Sequence, residues 1–163
     1  MNLMTIAVLA ALLGAGLIGG VFFAFSSFIM KALARRPSPE GIAAMQSINI
    51  VVINPVFLGA FMGTAAISVI IAVLAVLGWG SPSAAYFLAG ALLYVIGTFF
   101  VTIFGNVPFN NKLAEVSATD PGAVAVWEEY LRTWTLLNTI RTVAAAAATL
   151  AFALGLMVQG TIA

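Results

Sequence analysis

Five side chains near the start of the last apolar stretch combine a cation, an amide and three aromatic rings. They are Trp127, Tyr130, Trp134, Asn138 and Arg141, and their spacings of three, four, four and three residues place them on one face of an α-helix. An arginine and an amide can hold a developing oxyanion, while tyrosine and tryptophan rings can stack on a planar molecule. Arg141 and Asn138 are therefore the catalytic candidates, and both are also predicted, with Tyr130 and Trp134, to bind the ligand.

A second interpretation of this face requires no ligand. Aromatic side chains form belts at membrane surfaces, and an arginine can extend its charged end to the headgroups. Against this, Arg141 lies seven residues beyond Trp134, roughly 10 Å along a helix, where a charge is usually turned inward. An inward arginine needs acceptors. These are amide oxygens, backbone carbonyls, an anionic ligand or a loop carboxylate such as Glu115, Glu128 or Glu129.

Four asparagines outside this face extend the predicted ligand-binding set. They lie where apolar stretches meet the two polar connections of the chain, at the same level as Asn138 and Arg141 if both connections share one side of a membrane. Asparagine also caps helices and satisfies the backbone of turns, so a purely structural role is the alternative. The four residues are Asn49, Asn54, Asn106 and Asn110.

The composition of the 163-residue chain excludes several classes of function. Hydrophobic residues make up 63% of it and charged residues only 7%, which indicates a protein whose solvent is lipid. A net charge of +1 provides no basic field for nucleic acid. The chain has neither cysteine nor histidine, so common metal ligands and a common general base are missing, and we expect no metal site.

Four apolar stretches are long enough to cross a membrane as helices, and none contains a carboxylate. They predict an all-α polytopic membrane protein in which residues 1–163 form a single four-helix transmembrane bundle. The first stretch has basic residues after it and none before it, unlike a cleavable signal. Gly105 or Asn106 is expected to end the third span. The predicted spans are residues 3–30, 51–77, 84–104 and 136–158.

Basic residues predict the orientation of the bundle. Lys31, Arg35 and Arg36 lie in the first connection and Lys112 and Arg132 in the third, whereas the second connection and the terminal tails have none. Because Lys and Arg concentrate in cytoplasmic loops, both termini are expected outside. We therefore expect an integral protein of the plasma (inner) membrane, whose first partner is the lipid bilayer.

The first connection predicts a short helix at the membrane surface. Ser38 is a candidate N-cap, and Pro39 fits the first helical turn. Asn54 and Pro55 then mark either the start of the second span or a kink within it.

The fourth span is predicted to belong to a longer helix that extends into the cytoplasm. Neither proline nor glycine occurs from residue 123 to residue 154. A single helix over residues 121–158 would be about 57 Å long, against a hydrocarbon core of about 30 Å. Its first part is expected to pack against residues 39–53 through Trp127 and Trp134.

Glycines at four-residue spacing in the first two spans predict close helix packing. The pairs are Gly16 with Gly20 and Gly59 with Gly63, and the alanine run at 144–148 makes the fourth span narrow as well. The same glycine faces can alternatively join two copies of the chain, so a homo-oligomer is a further expectation.

Four blocks of the sequence together resemble the DUF1772 family of small membrane proteins, which is grouped with the anthrone oxygenases. The resemblance covers nearly the whole chain. It implies oxidation of an anthrone to an anthraquinone by O₂, without metal or flavin, and hence no cofactor. The blocks are "GGVFFAFSSFIMKALARRP", "GIAAMQSINIVVINPVF", "FGNVPFNNKLA" and "WEEYLRTWTLLNTIRTVAAAAATL".

The chain departs from the family pattern within "LNTIRT". The resemblance implies Trp-Asn-His-x-Arg-Thr at this place, so Leu137 and Thr139 stand where the family has tryptophan and histidine, while Asn138, Arg141 and Thr142 match. A threonine hydroxyl cannot replace histidine as a general base, so either a loop carboxylate takes that role or the protein does not carry out this chemistry. Three functions stay open: an oxygenase-like enzyme for an aromatic polyketide or quinol, a protein that binds a quinone or lipid without turnover, or an accessory subunit of a membrane complex.

Overall fold

The computed structural model describes residues 3–160, which form one helical bundle. Four of the helices are long and apolar enough to cross a membrane. The predicted all-α bundle of four spans is therefore confirmed for the described part, while residues 1–2 and 161–163, with both termini, lie outside it. The helices are α1 (Leu3–Ala34), α2 (Ser38–Val51), α3 (Pro55–Leu77), α4 (Ala84–Ala114) and α5 (Ala123–Gly160).

Each spanning helix packs against two others, since α1 and α4 both contact α3 and α5. Small residues allow these helices to approach closely. Gly14 of α1 lies against Thr64 of α3, and Gly155 of α5 lies against the ring of Phe87. A Cβ atom added to Gly97 of α4 would lie 2.6 Å from the Cβ atom of Ala144. The bundle is therefore held by contacts that only glycine permits.

The predicted packing through the four-residue glycine pairs is wrong for three of the four glycines. A Cβ atom added to Gly20, Gly59 or Gly63 would meet nothing within 4 Å, and one at Gly16 would meet only the Thr149 side chain, 3.8 Å away. A four-residue spacing identifies a narrow face of a helix, but the position of the neighbouring helices decides which face turns inward. The alanine run of the fourth span does pack inward, at Ala144, Ala145 and Ala148.

Two helix starts differ from the sequence-based boundaries. The second span begins at Pro55 rather than at residue 51, because Asn54 caps it by accepting the backbone N–H groups of Val56 and Phe57 at 3.1 and 3.0 Å. Asn54 therefore starts the span and does not kink it. The prediction of Ser38 as N-cap is wrong, since Pro37 takes that position and its carbonyl accepts the first helical bonds.

The predicted end of the third span at Gly105 or Asn106 is also wrong, because α4 continues to Ala114. Pro108 lies in this continuation, where its ring would ordinarily clash with the carbonyl four residues earlier. The π-helical segment Thr102–Asn106 contains Phe104, the residue four before this proline, and widens the helix there. The widened turn gives a physical reason why proline does not end α4. The first span likewise runs past residue 30, to Ala34.

The long fourth helix is confirmed, and its first turns are ordered by α2 as predicted. Trp127 is buried in one hydrophobic cluster with Ile42 and Met45 of α2, and its ring lies against Gly41. We call this end of the bundle, which carries α2, the last turns of α4 and the first turns of α5, the loop-rich end. The side of the membrane on which it lies stays a prediction.

Candidate functional site

A cavity of about 260 Å³ lies inside the loop-rich end of the bundle. All four spans and α2 contribute to its walls, which are mostly apolar and aromatic. This volume is near the lower limit of the roughly 300–1,000 Å³ that is typical of small-molecule sites, so it suits a compact ligand. Five residues bring polar groups to the wall: Asn49, Thr102, Asn110, Trp134 and Arg141.

Arg141 is only 4% exposed, and protein groups hold its guanidinium in place. Its Cζ atom lies 3.9 Å from the ring centroid of Phe22 and 5.3 Å from that of Trp134. Its terminal nitrogens donate to the hydroxyl of Thr102 at 3.1 Å and to Oδ1 of Asn138 at 2.7 Å. The arginine is therefore turned inward, as predicted, and the interpretation in which it extends to the headgroups is wrong.

The positive charge of Arg141 is not neutralised by a carboxylate within residues 3–160. The ion pairs of this part of the chain, Arg36 with Glu40 and Lys112 with Glu129, are exposed and lie at the loop-rich end of the bundle. Of the acceptors considered from the sequence, Arg141 uses an amide oxygen, that of Asn138, together with the hydroxyl of Thr102. It uses none of the loop carboxylates. Nε of Arg141 has no acceptor among the described residues. A buried cation with unused donors favours an anionic or oxygen-bearing ligand.

Asn138 supports Arg141 from behind and does not line the cavity. Its Nδ2 atom donates to the carbonyl of Phe22 and to the hydroxyl of Ser26, both at 2.7 Å. With both hydrogens of the amide engaged, its oxygen is oriented toward Arg141. The structure thus places this catalytic candidate as a residue that positions the guanidinium.

Asn110 presents a second set of donors to the cavity. Its Oδ1 atom accepts the indole N–H of Trp134 at 2.7 Å and the hydroxyl of Tyr130 at 2.8 Å. Because an indole nitrogen can only donate, the atom that it contacts must be the amide oxygen. The Nδ2 atom of Asn110 then has no acceptor within residues 3–160. Asn49 adds a longer bond to the Tyr130 hydroxyl, at 3.4 Å.

The aromatic face predicted for α5 is buried as one continuous stack. The rings of Trp127 and Tyr130 lie 5.7 Å apart between centroids, and those of Tyr130 and Trp134 lie 5.4 Å apart, nearly parallel in both pairs. Only Trp134 lines the cavity itself. Tyr130 is packed behind Trp134 and supports the site by donating its hydroxyl to Asn110. The spacing of Tyr130 along the helix did not predict this role.

Besides Asn138, two further predicted ligand-binding asparagines do not line this cavity. Asn54 is occupied as the cap of α3. Asn106 is buried and donates to the backbone carbonyl of Trp134 at 3.0 Å. That carbonyl closes the π-helical segment Tyr130–Trp134, where the change from π to α bonding can leave a carbonyl without its usual donor. For these two residues the structural role is the one that the geometry supports.

Thr139, where the family resemblance implies a histidine, lies on the exposed side of α5. Its hydroxyl contacts the Ser26 hydroxyl at 3.0 Å and donates to the carbonyl of Thr135 at 2.9 Å. It does not line the cavity that holds Arg141. The side chain at position 139 therefore points away from the candidate site.

Several site residues were missed from the sequence. Phe22 and Thr102 contact the guanidinium directly, and Ser26 fixes Asn138. A hydroxyl inside an apolar span is a signal that could have identified Thr102, since such groups usually bond to a neighbouring helix. The contact with Phe22 depends on how α1 packs against α5 and has no counterpart in local spacing.

A second cavity of about 830 Å³ adjoins the first toward the connections. The two share the wall residues Asn49, Ile53, Val107 and Asn110. The second cavity is more polar, with Gln46, Asn111 and Ser117 among its other wall residues. The two asparagines therefore border both the cavity that holds the guanidinium and the larger, more polar cavity.

One known protein family matches the part of the chain that carries α3, α4 and most of α5. The sequence profile of the family described as anthrone oxygenase matches residues 56–151, more than half of the chain. This chain belongs to the anthrone oxygenase family. The matched region excludes α1 and α2. It includes four of the polar residues that line the cavity in this anthrone oxygenase family member: Thr102, Asn110, Trp134 and Arg141. No curated protein and no solved structure significantly matches the chain.

Proposed function

We propose that this protein binds a planar phenol or anthrone in the cavity and promotes its oxidation by O₂ by stabilising its anion. The observation that carries the proposal is the buried guanidinium of Arg141, which has no carboxylate partner among the described residues and keeps donors unused. A group of this kind stabilises charge as it develops on a bound oxygen. Membership of the anthrone oxygenase family supports the same reaction class.

The proposed reaction balances without a further reagent. An anthrone loses a proton from its ring CH₂ group, and the negative charge moves to the carbonyl oxygen. The enolate carbon then transfers electrons to O₂ and forms a C–O bond, which gives a hydroperoxide once a proton returns. Loss of water from this hydroperoxide leaves the second carbonyl of the anthraquinone. One O₂ is consumed and one water is released for each anthrone.

The protein's contribution is to favour the anion. Arg141 and the amide nitrogen of Asn110 donate to the oxygen that gains charge, which lowers the pKa of the bound molecule. The described wall of the cavity has no carboxylate and the chain has no histidine, so the proton leaves to water. The larger adjoining cavity provides the water, next to Asn110 and Asn49.

Aromatic walls position the rings of the ligand. Phe61 and Phe99 stack with their centroids 5.4 Å apart, and Phe22 meets Phe61 edge to face at 6.5 Å. These rings and Trp134 form apolar surfaces on which a planar molecule can lie with its oxygen toward Arg141.

The test is the oxidation rate of anthrone by purified protein in detergent, followed by anthraquinone absorbance and O₂ uptake, with protein-free micelles as background. Lysine at position 141 cannot bond Thr102 and Asn138 and still present a fork of donors. We expect Arg141→Lys to lower the rate above background roughly 10²-fold. Arg132→Lys is the matched control, because Arg132 is exposed on the same helix, and it should leave the rate unchanged.

Two results would contradict the proposal. If the wild-type protein binds anthrone but oxidises it no faster than empty micelles do, the cavity is a binding site without turnover. If Arg141→Lys and Arg132→Lys have equal rates above background, the guanidinium does not stabilise the anion.

A further inference from the structure

The cavity has an apolar opening on the outer surface of the spans. Four of its wall residues are exposed as well, and all four are apolar: Val21, Ile53, Met62 and Ile103. Ile53 is 69% exposed, Met62 53% and Ile103 40%. Val21 lies on α1 and Ile53 in the connection before α3, whereas Met62 and Ile103 border the cavity and the outside on the facing helices α3 and α4. Met62 and Ile103 belong to membrane-spanning helices, so this part of the opening faces lipid.

The geometry of α3 shows which gap is open. Phe61 faces inward, and Thr64 lies against Gly14 of α1. With 3.6 residues per turn, Leu58 and Met62 lie about 120° and 160° around the helix from Thr64. They are therefore on the flank of α3 that turns away from α1 and toward α4, where Ile103 lies.

Polarity changes from this opening to the interior. No polar side chain is among the four exposed wall residues, whereas the polar wall groups Thr102, Asn110 and Arg141 lie inside. The aromatic rings of Phe61 and Phe99 also line the cavity and stack on each other. A ligand oriented by these walls has its oxygen at the guanidinium and its least polar part at the opening.

We propose that the ligand is an amphiphilic aromatic molecule that carries a hydrocarbon chain, and that this chain occupies a lateral opening between α3 and α4, bordered by Leu58, Met62 and Ile103. This inference rests on the proposed function, because it takes the oxygen-bearing ring to lie at Arg141. It adds the substrate class: a lipid-soluble phenol or quinol drawn from the bilayer, in place of a water-soluble polyketide that arrives from the connections.

The test uses two probes with the same ring, 1-naphthol and 4-decyl-1-naphthol, titrated calorimetrically into full-length protein in phosphatidylcholine nanodiscs. Ile103→Trp fills the opening, and Ile96→Trp is the matched control, since Ile96 is an exposed isoleucine two turns away on α4 that does not line the cavity. We expect Ile103→Trp to weaken binding of the decyl probe about tenfold, the equivalent of two lost methylene contacts, and to leave 1-naphthol nearly unaffected. Ile96→Trp should bind both probes as the wild type does.

A second pair of variants keeps the test valid if Ile103→Trp does not fold. Met62→Trp narrows the opening from α3, and Val69→Trp is its control on the same helix. The inference is overturned if both opening variants bind the decyl probe as tightly as their controls, or if they weaken both probes equally. Failure of the proposed function is distinguishable, because 1-naphthol would then bind equally to the wild type and to Arg141→Lys.

Discussion

At the scale of single residues, the contacts of Arg141 explain how an apolar helix accommodates an arginine. The Phe22 ring covers one face of its guanidinium, and Thr102 and Asn138 accept two of its N–H groups. Cation–π contact and charge-assisted hydrogen bonds compensate part of the cost of burial. Nε of Arg141 has no acceptor among residues 3–160, and this unused donor supports the proposed binding role of the guanidinium.

The position of Thr139 yields a prediction about the family's histidine. Because this side chain lies on the exposed side of α5 and bonds to Ser26, a histidine there would not reach the cavity directly. We expect Thr139→His to leave the anthrone oxidation rate within about twofold of wild type, whereas a histidine acting as general base would add roughly 10²-fold. The same absorbance assay measures it. A large acceleration would show that position 139 communicates with the site.

At the scale of helices, glycines differ sharply in what surrounds them. Gly97 of α4 faces Ala144 of α5 at a distance that leaves no room for a methyl group, while Gly63 of α3 faces open space. Both lie in the middle of apolar spans. They therefore form a matched pair in which only the neighbouring helix differs.

Replacing these two glycines by alanine should have opposite effects on stability. Gly97→Ala would press its methyl group on Ala144 and separate α4 from α5, and we expect a loss of about 1–3 kcal/mol in the free energy of unfolding. Gly63→Ala meets no neighbour and should be neutral or stabilise by up to about 1 kcal/mol through helix propensity. Thermal unfolding in the same detergent measures both. Equal shifts in the two variants would mean that α4 and α5 are not in contact at Gly97.

At the scale of the whole molecule, the loop-rich end combines both cavities with most of the charge of the chain. α2, the last turns of α4 and the first turns of α5 share one hydrophobic cluster around Trp127 and Trp134, so this end is ordered by its own core. The opposite end, around the turn at Gly80, is small, and the positive φ of 109° at this residue explains the glycine there. The proposed site and the charges that predict the orientation therefore lie at the same end of the bundle.

The orientation of that end is tested by cysteine labelling, which the absence of native cysteine makes clean. Ser81 and Ser117 are both exposed and lie in connections on opposite ends of the bundle. Because the basic residues lie with Ser117, we expect Ser81→Cys to react with an impermeant thiol reagent in intact cells and Ser117→Cys to react only after lysis. The reverse pattern would place the termini and the Ser81 connection in the cytoplasm.

The sequence by itself determined the class of the molecule and which residues share one face of its last helix. Hydrophobic length sets the number of spans, and helical periodicity places Trp134, Asn138 and Arg141 on one side, because both depend only on local geometry. Capping by Asn54 and the continuous α5 helix follow from local rules of the same kind.

Only the tertiary structure decided what these residues contact. It placed Asn138 behind Arg141 and brought Phe22 and Thr102 to the guanidinium. It also separated Asn106 from the cavity and turned three of the four predicted glycines away from neighbouring helices. Each of these outcomes depends on the rotation and separation of helices that are distant in the sequence. In lipid, where apolar side chains gain little by turning inward, periodicity does not determine that rotation, and close packing and hydrogen bonds between helices do.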